Sequence, residues 1–299
     1  MVLVENWLPP SKENWELTVY LFQFFPLLTL LQWIQIWWFT WYPAGKTSTN
    51  SRFNIPGKIA WITMEVPGFV TVLYTMNTLP GELRLSKLPW ENKAMAALFT
   101  IHYLYRAILA PLLNPSMSPI HPIVWIAALL FQLFNGLSIG GYLGGYGPTS
   151  RFEWQNSVMN YKVSGRMGFG MMIWALGFFA NIFHDDELRE IRRAAKRNME
   201  RREKEKEEKG KAEGGVDKVY MIPKNGLFWW IFYPHYLCEW IEWAGFYIMA
   251  GSRCVPARNF LINEIATMLP RAIQGKHWYI ERFGKEAIAG RKAVIPGIL

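Results

Sequence analysis

Glu65, His102, Tyr103 and Arg106 lie inside runs of otherwise apolar sequence. A charged or ionisable side chain at membrane depth is costly, so such groups face a protein-lined or wet cavity and mark function. Their spacing fits helices that each present one polar stripe. Trp61 and Glu65 fall at i, i+4, and Tyr103 and Arg106 at i, i+3. His235, Glu239 and Glu242 fall at i, i+4, i+7, and Asn181, Asp185, Arg189 and Arg192 at i, i+4, i+8, i+11. Residues three and four apart share one face of a helix. Four helices with one stripe each are most simply arranged around a shared interior cavity.

The residue types indicate what that cavity holds. The stripe from Asn181 to Arg192 mixes amide, carboxylate and guanidinium groups, with Arg106 and Arg271 on other runs. Arginines converging at one end suit a phosphate-rich ligand, because the planar guanidinium fork matches phosphate oxygens. Glu65 and Tyr103 sit deeper, among aromatic and aliphatic residues. A protonated Glu beside a Tyr offers two hydrogen-bond donors, which can hold a substrate carbonyl and stabilise an enolate forming from it. Several residues keep plainer readings open. His102 can be a satisfied core histidine, Glu242 can pair with a helix neighbour, and His121 before Pro122 suits an interface. His184-Asp185-Asp186 does not make a metal site, since adjacent helical residues do not share a face, and H-E-x-x-H spacing is absent. No metal is expected. Cys238 and Cys254 are too few for a disulfide framework or a zinc site and read as packing residues.

The elements that must position these groups are membrane helices. Of the 299 residues, 51% are apolar and 16% aromatic. They gather into runs of about 20, the length that crosses roughly 30 Å of hydrocarbon as a helix. Seven runs fall near 17–40, 59–80, 93–113, 120–146, 165–183, 227–250 and 257–275, the last weakened by Asn263, Glu264 and Arg271. Aromatic clusters at 37–42 and 227–233 are what membrane interfaces select. The expected fold is all-α: a polytopic membrane protein with seven transmembrane helices enclosing a cofactor and substrate cavity, one domain across 1–299. Glu5, Glu13 and Glu16, with no basic n-region, predict a retained first helix rather than a cleaved leader.

The net charge of +9 concerns orientation rather than nucleic acid. With the C-terminus in the cytosol, most Lys and Arg outside the runs fall on the cytosolic side, as the positive-inside bias requires. No nucleic-acid partner is expected. Residues 196–215 form a charged, low-complexity cytosolic insertion, read as a solvated helical extension passing into a Gly-containing linker. "GGYLGGYG" (140–147) follows no strand and opens no βαβ unit, which excludes a Rossmann loop. Small residues at four-residue spacing instead let membrane helices approach closely.

From about residue 44 onward the chain resembles the steroid 5-alpha-reductase family of seven-span membrane reductases, the 3-oxo-5-alpha-steroid 4-dehydrogenases. The resemblance rests on ordered segments: "AGK" with Arg52 and Pro56, "AWITMEVP" (60–67), "HYLYR" (102–106), "NGLSIGG" (135–141) and "NIFHDDELREIRR" (181–193). It continues through "IPKNGLF" (222–228), "EWIEW" (239–243) and the tail "RAIQGKHWYIERF...RKAVIP" (271–296). It implies NADPH-dependent reduction of a carbon–carbon double bond conjugated to a ketone, with hydride going to the beta carbon. By position, Glu65 and Tyr103 would polarise the ketone. Asn181, Asp185, Leu188, Arg192, His235, Glu239, Arg271 and Tyr279 would hold the cofactor, with Arg106 and Asn114 reaching its phosphate and nicotinamide regions. Trp61, Glu242 and Trp243 would shape the pocket, and His102 would orient its neighbours.

One departure bears on the substrate. His235, in "YPHYLCE", stands where animal steroid reductases carry asparagine, and "PHY" looks more like the polyprenol-reductase branch of the superfamily. The implied substrate is a lipophilic enone: a 3-oxo-delta-4 steroid, or a polyisoprenoid enal. Membrane lipid surrounds the chain, and the family implies residence in the endoplasmic reticulum. Two rival classes fit less well. A transporter would show paired repeats with matching interrupted helices. A membrane methyltransferase binding S-adenosylmethionine would leave Glu65 and Tyr103 without a task.

Overall fold

The structure, a computed structural model, describes residues 2–28, 51–156, 163–208, 221–288 and 290–299. These residues are helical, with no strand among them beyond isolated bridges. The helices are α1 (Lys12–Phe22), α2 (Gly57–Glu82), α3 (Trp90–Tyr103), α4 (Pro122–Gly141), α5 (Arg151–Asn156), α6 (Val163–Glu208), α7 (Pro234–Ala250), α8 (Val255–Phe283) and α9 (Lys285–Ile288). A π-helical stretch, Leu104–Leu109, and a last turn, Ala110–Leu113, extend α3; a second π-helical stretch, Tyr142–Tyr146, extends α4.

Among the described residues, four stretches are long and apolar enough to cross a membrane: Gly57–Glu82, Trp90–Leu113, Pro122–Tyr146 and Gly165–Arg201. The chain is a multi-pass membrane protein. The other expected runs differ for identifiable reasons. The 17 residues of α7 include His235, Glu239 and Glu242, and the 29 of α8 include Asn259, Asn263 and Glu264. The first run is described only to residue 28, and the aromatic cluster at 37–42 and the "AGK" segment lie outside the described residues. At 1.5 Å per residue, the 46 residues of α6 are about 70 Å long, more than twice the hydrocarbon thickness. The charged insertion is therefore helical through Glu208, as a continuation of α6.

Glycines set the two crossings that matter for the site. A Cβ at Gly136 would sit 2.5 Å from the Gly68 carbonyl oxygen, so α2 and α4 meet backbone to backbone. Gly140 and Gly144 continue that contact against Thr75, as small residues do between membrane helices. Between α6 and α7, a Cβ at Gly177 would lie 2.6 Å from the Cys238 carbonyl oxygen and 2.7 Å from the Glu242 Cα. Because both neighbours are backbone, they cannot rotate away. Gly177→Ala is expected to cost about 1–3 kcal/mol, the usual penalty of overpacking, and to separate Asn181 from Glu239. A lowered melting temperature in detergent checks this; an unchanged one removes the crossing as a determinant of the fold.

Two prolines explain local departures from regular helix. Ala110 N–H bonds to Tyr105 O in the π-helical stretch of α3. The corresponding partner for Arg106 O would be Pro111, which has no N–H. Trp61 Nε1 on α2 fills that place, donating to Arg106 O at 3.0 Å. Likewise Phe22 O, at the end of α1, would look to Pro26. Asn263 Nδ2 donates to it instead at 2.9 Å, and Asn259 Nδ2 donates to Val19 O at 3.1 Å. Two of the polar residues on α8 thus brace the broken first helix. The break borders a surface cleft of about 510 Å³, lined by Gln23, Phe24, Arg258, Asn259 and Ile262. No residue of the polar stripes lines it.

Candidate active site

The stripes meet as layers. Deepest is a trio from α2, α3 and α4. Gln132 Nε2 donates to Glu65 Oε2 at 2.5 Å and to Tyr103 OH at 3.1 Å, and Asn135 Nδ2 lies 3.4 Å from the same phenol oxygen. A phenol has two acceptor lone pairs and one donor hydrogen. Both acceptor places on Tyr103 are filled by amides, so its O–H is left to donate. Glu65 accepts from the same Gln132 amide through Oε2. Trp243 closes the layer, its ring 6.1 Å from that of Tyr103 and 4.4 Å from that of Phe260. Phe99, Phe131 and Phe260 continue the wall in aromatics.

The middle layer is ionic. Arg106 NH1 is 3.6 Å from Asp185 Oδ2, Arg106 NH2 is 3.6 Å from Glu239 Oε2, and the guanidinium lies over Trp61 at 5.1 Å. Asn181 Nδ2 donates to Glu239 Oε2 at 3.3 Å. His102 Nδ1 is 2.7 Å from Glu242 Oε1, and its Nε2 is 3.8 Å from Glu239 Oε1. Glu242 therefore pairs across helices rather than along its own, and His102 ties α3 to α7 by two carboxylates. The Arg106 contacts are longer than ideal hydrogen bonds, which leaves N–H donors able to take a further acceptor.

At the mouth, Arg189 bonds the Tyr105 hydroxyl and pairs with Asp186 at 3.1 Å. Arg192 NH1 donates to Asn114 Oδ1 at 2.8 Å, and Arg193 NH2 to Leu113 O at 3.3 Å. The whole stripe from Asn181 to Arg192 thus faces α3, its extension or α7. Leu188 is half-buried on α6. His235 lies one turn before Glu239, buried among Tyr233, Tyr236 and Phe228. Arg271 is half-buried two turns along α8 from Glu264, and Tyr279 stacks on Phe232. His184 spends its ring on structure, contacting Ala180 O with Nδ1 while its Nε2 accepts from Leu227 N–H.

Gln132 and Asn135 were not singled out as site residues by charge. They are polar residues three apart in an apolar run, so the rule that marks Glu65 finds them too. Buried polar atoms without a hydrogen-bond partner gather around the same layers: Gln132 Oε1, Asn135 Oδ1, Trp243 Nε1, Glu242 Oε2 and Asn181 Oδ1. A mixture of donors and acceptors left so is the environment a polar, amide-bearing ligand completes.

Residues 209–299 match the family described as 3-oxo-5-alpha-steroid 4-dehydrogenase. The chain is 35% identical over 274 residues to uncharacterized protein C9.08c of Schizosaccharomyces pombe, covering 86% of this chain and 91% of that one. It is 28% identical to 3-oxo-5-alpha-steroid 4-dehydrogenase 1 of Rattus norvegicus, covering 86% of both chains. The chain belongs to the steroid 5-alpha-reductase family. A plant relative, steroid 5-alpha-reductase DET2 of Solanum lycopersicum, is 28% identical over 85% of this chain and 86% of its own length. Like the rest of the family, this reductase is an oxidoreductase acting on CH–CH bonds. The family description reaches α7, α8 and the tail. The Glu65–Gln132–Tyr103 trio lies before it, within the span that the full-length relatives share.

Proposed function

We propose that this enzyme reduces the carbon–carbon double bond of a lipophilic enone with NADPH, and that the enone is a 3-oxo-delta-4 steroid reduced to its 5-alpha product. One observation carries the reading: Glu65 and Tyr103 are held by one amide, Tyr103 with both acceptor places engaged, against an aromatic wall next to a guanidinium and carboxamide cluster. Bound NADPH supplies hydride. Arg106, Asn114, Asn181, Asp185, Leu188, Arg192, His235, Glu239, Arg271 and Tyr279 would hold it, the guanidinium groups among them being suited to phosphate oxygens. The unpartnered amide and indole atoms suit its carboxamide. Tyr103 and a protonated Glu65 donate to the ketone oxygen as negative charge develops there, the stabilisation given by an oxyanion hole. Trp61, Glu242 and Trp243 shape the pocket, and the aromatic wall excludes water from the reacting carbon.

The same reading makes residues 1–299 a single seven-span domain of the endoplasmic reticulum membrane with a cytosolic C-terminus. A second substrate class, polyisoprenoid enals, is favoured by His235 alone. One assay separates them. NADPH consumption is measured against a panel of steroid enones and polyprenals, alongside thermal stabilisation by NADPH, NADH and S-adenosylmethionine. Ligand at about 100 times its Kd stabilises by about 2.7 kcal/mol, so NADPH alone is expected to raise the melting temperature clearly. A response to S-adenosylmethionine without one to NADPH refutes the reductase reading. Turnover of polyprenals without steroids replaces the substrate.

A further inference from the structure

We propose that Gln132 is the positioning residue of the active site: a single amide that aims both carbonyl donors. The inference rests on the reading of Glu65 and Tyr103 as those donors. A glutamine buried to 4% exposure in an apolar run is expensive unless its amide is used. Here both hydrogens of the amide nitrogen are used, one on each member of the pair. Glu65 and Tyr103 share no direct bond, so Gln132 is their mechanical link. It comes from α4 while they come from α2 and α3, and it therefore sets the relation between three helices at the reacting centre.

The orientation of the amide follows from its surroundings. Its oxygen lies against Gly68, where a Cβ would collide with it. The absence of a side chain at 68 makes room for that oxygen and leaves the nitrogen to face Glu65 and Tyr103. Asn135, one turn along α4, takes the remaining acceptor place on the phenol. With its acceptor places occupied, the Tyr103 hydroxyl has only its hydrogen left to offer a ligand. Glu65 is held through Oε2 by the same amide, and on the proposed reading its other oxygen carries the proton for the ketone. A purely structural glutamine would stabilise the helices without influencing what Tyr103 does.

That difference is measurable. Gln132→Met keeps the length and removes both hydrogens, while Gln132→Glu keeps the shape and offers a carboxyl in place of the amide. Both are expected to lower kcat about 100-fold, the effect of a misplacement of about 1 Å at a reacting centre, with KM for NADPH and stabilisation by NADPH unchanged. Combined with Tyr103→Phe, either is expected to slow turnover by clearly less than the product of the two single losses, because the share of the effect that runs through the hydroxyl is already gone and only the aim of Glu65 is left to lose. Near-normal kcat in Gln132→Glu overturns the proposal, and this variant decides the matter if Gln132→Met does not fold. Losses that multiply in the double variant also overturn it, since they place the effect elsewhere. Full turnover in Tyr103→Phe alone refutes instead the donor reading on which it rests.

Discussion

Tyr103→Phe is expected to fold, to bind NADPH as the parent does, and to lose about 100- to 1,000-fold in kcat. Removing one preformed donor from an oxyanion-type site costs about that much. The ring of Tyr103 is 2% exposed and packs at 4.7 Å from Phe99 and 6.1 Å from Trp243. Phenylalanine keeps all of that packing. What it loses is the hydroxyl that receives the Gln132 and Asn135 amides and that, on the proposed reading, gives its hydrogen to the substrate. Asn135 Nδ2 then loses its acceptor, a cost of about 1–3 kcal/mol for a buried group left unpaired, while Gln132 keeps Glu65, so some fall in melting temperature accompanies the kinetic loss. Glu65→Gln is expected to do less, because an amide in that place still donates one hydrogen bond. Single-turnover rates at saturating NADPH separate chemistry from binding. Full activity in Tyr103→Phe would leave the conjugated ketone without its electrophile and end the assignment.

Much of this site was legible because a helix repeats faster than a membrane changes. Polar residues at three- and four-residue spacing stay on one face, and an apolar run makes them conspicuous. The stripe from Asn181 to Arg192 illustrates this: its members reach Glu239, Arg106, Tyr105 and Asn114 in order. What spacing does not carry is which stripe meets which. Gly177 and Gly136 decide that, since their missing side chains allow α6 to touch α7 and α4 to touch α2 at the level of the site. Gln132 escaped notice because a neutral amide does not stand out among charges. The role of Trp61 needs Pro111, fifty residues away in sequence, whose missing N–H exposes the carbonyl that the indole takes. The weakness of the last run had a local cause as well, because Asn259 and Asn263 serve the carbonyls of α1.

Arg106→Met is expected to harm both stability and cofactor binding, and the two effects can be separated. Arg106 stands between Asp185 and Glu239, each at 3.6 Å. Breaking a buried ion pair by deleting one partner costs about 3–5 kcal/mol, because the remaining charge loses its compensation. The side chains of Arg106 and Asp185 keep 16% and 17% exposure, which places the cost near the lower end, about 3 kcal/mol. Against a total stability of about 5–15 kcal/mol, that is a large fall in melting temperature. Methionine preserves the stem against Trp61, so the loss is one of charge rather than packing. Adding Glu239→Gln removes the stranded carboxylate and is expected to return part of the stability. It is not expected to return NADPH affinity, since the guanidinium proposed to reach the cofactor is still missing. Melting curves with and without NADPH read both quantities in one experiment. Recovery of binding together with stability would make Arg106 a counter-ion for the helix cluster and nothing more; recovery of stability with NADPH binding weaker than in Glu239→Gln alone makes it both counter-ion and ligand.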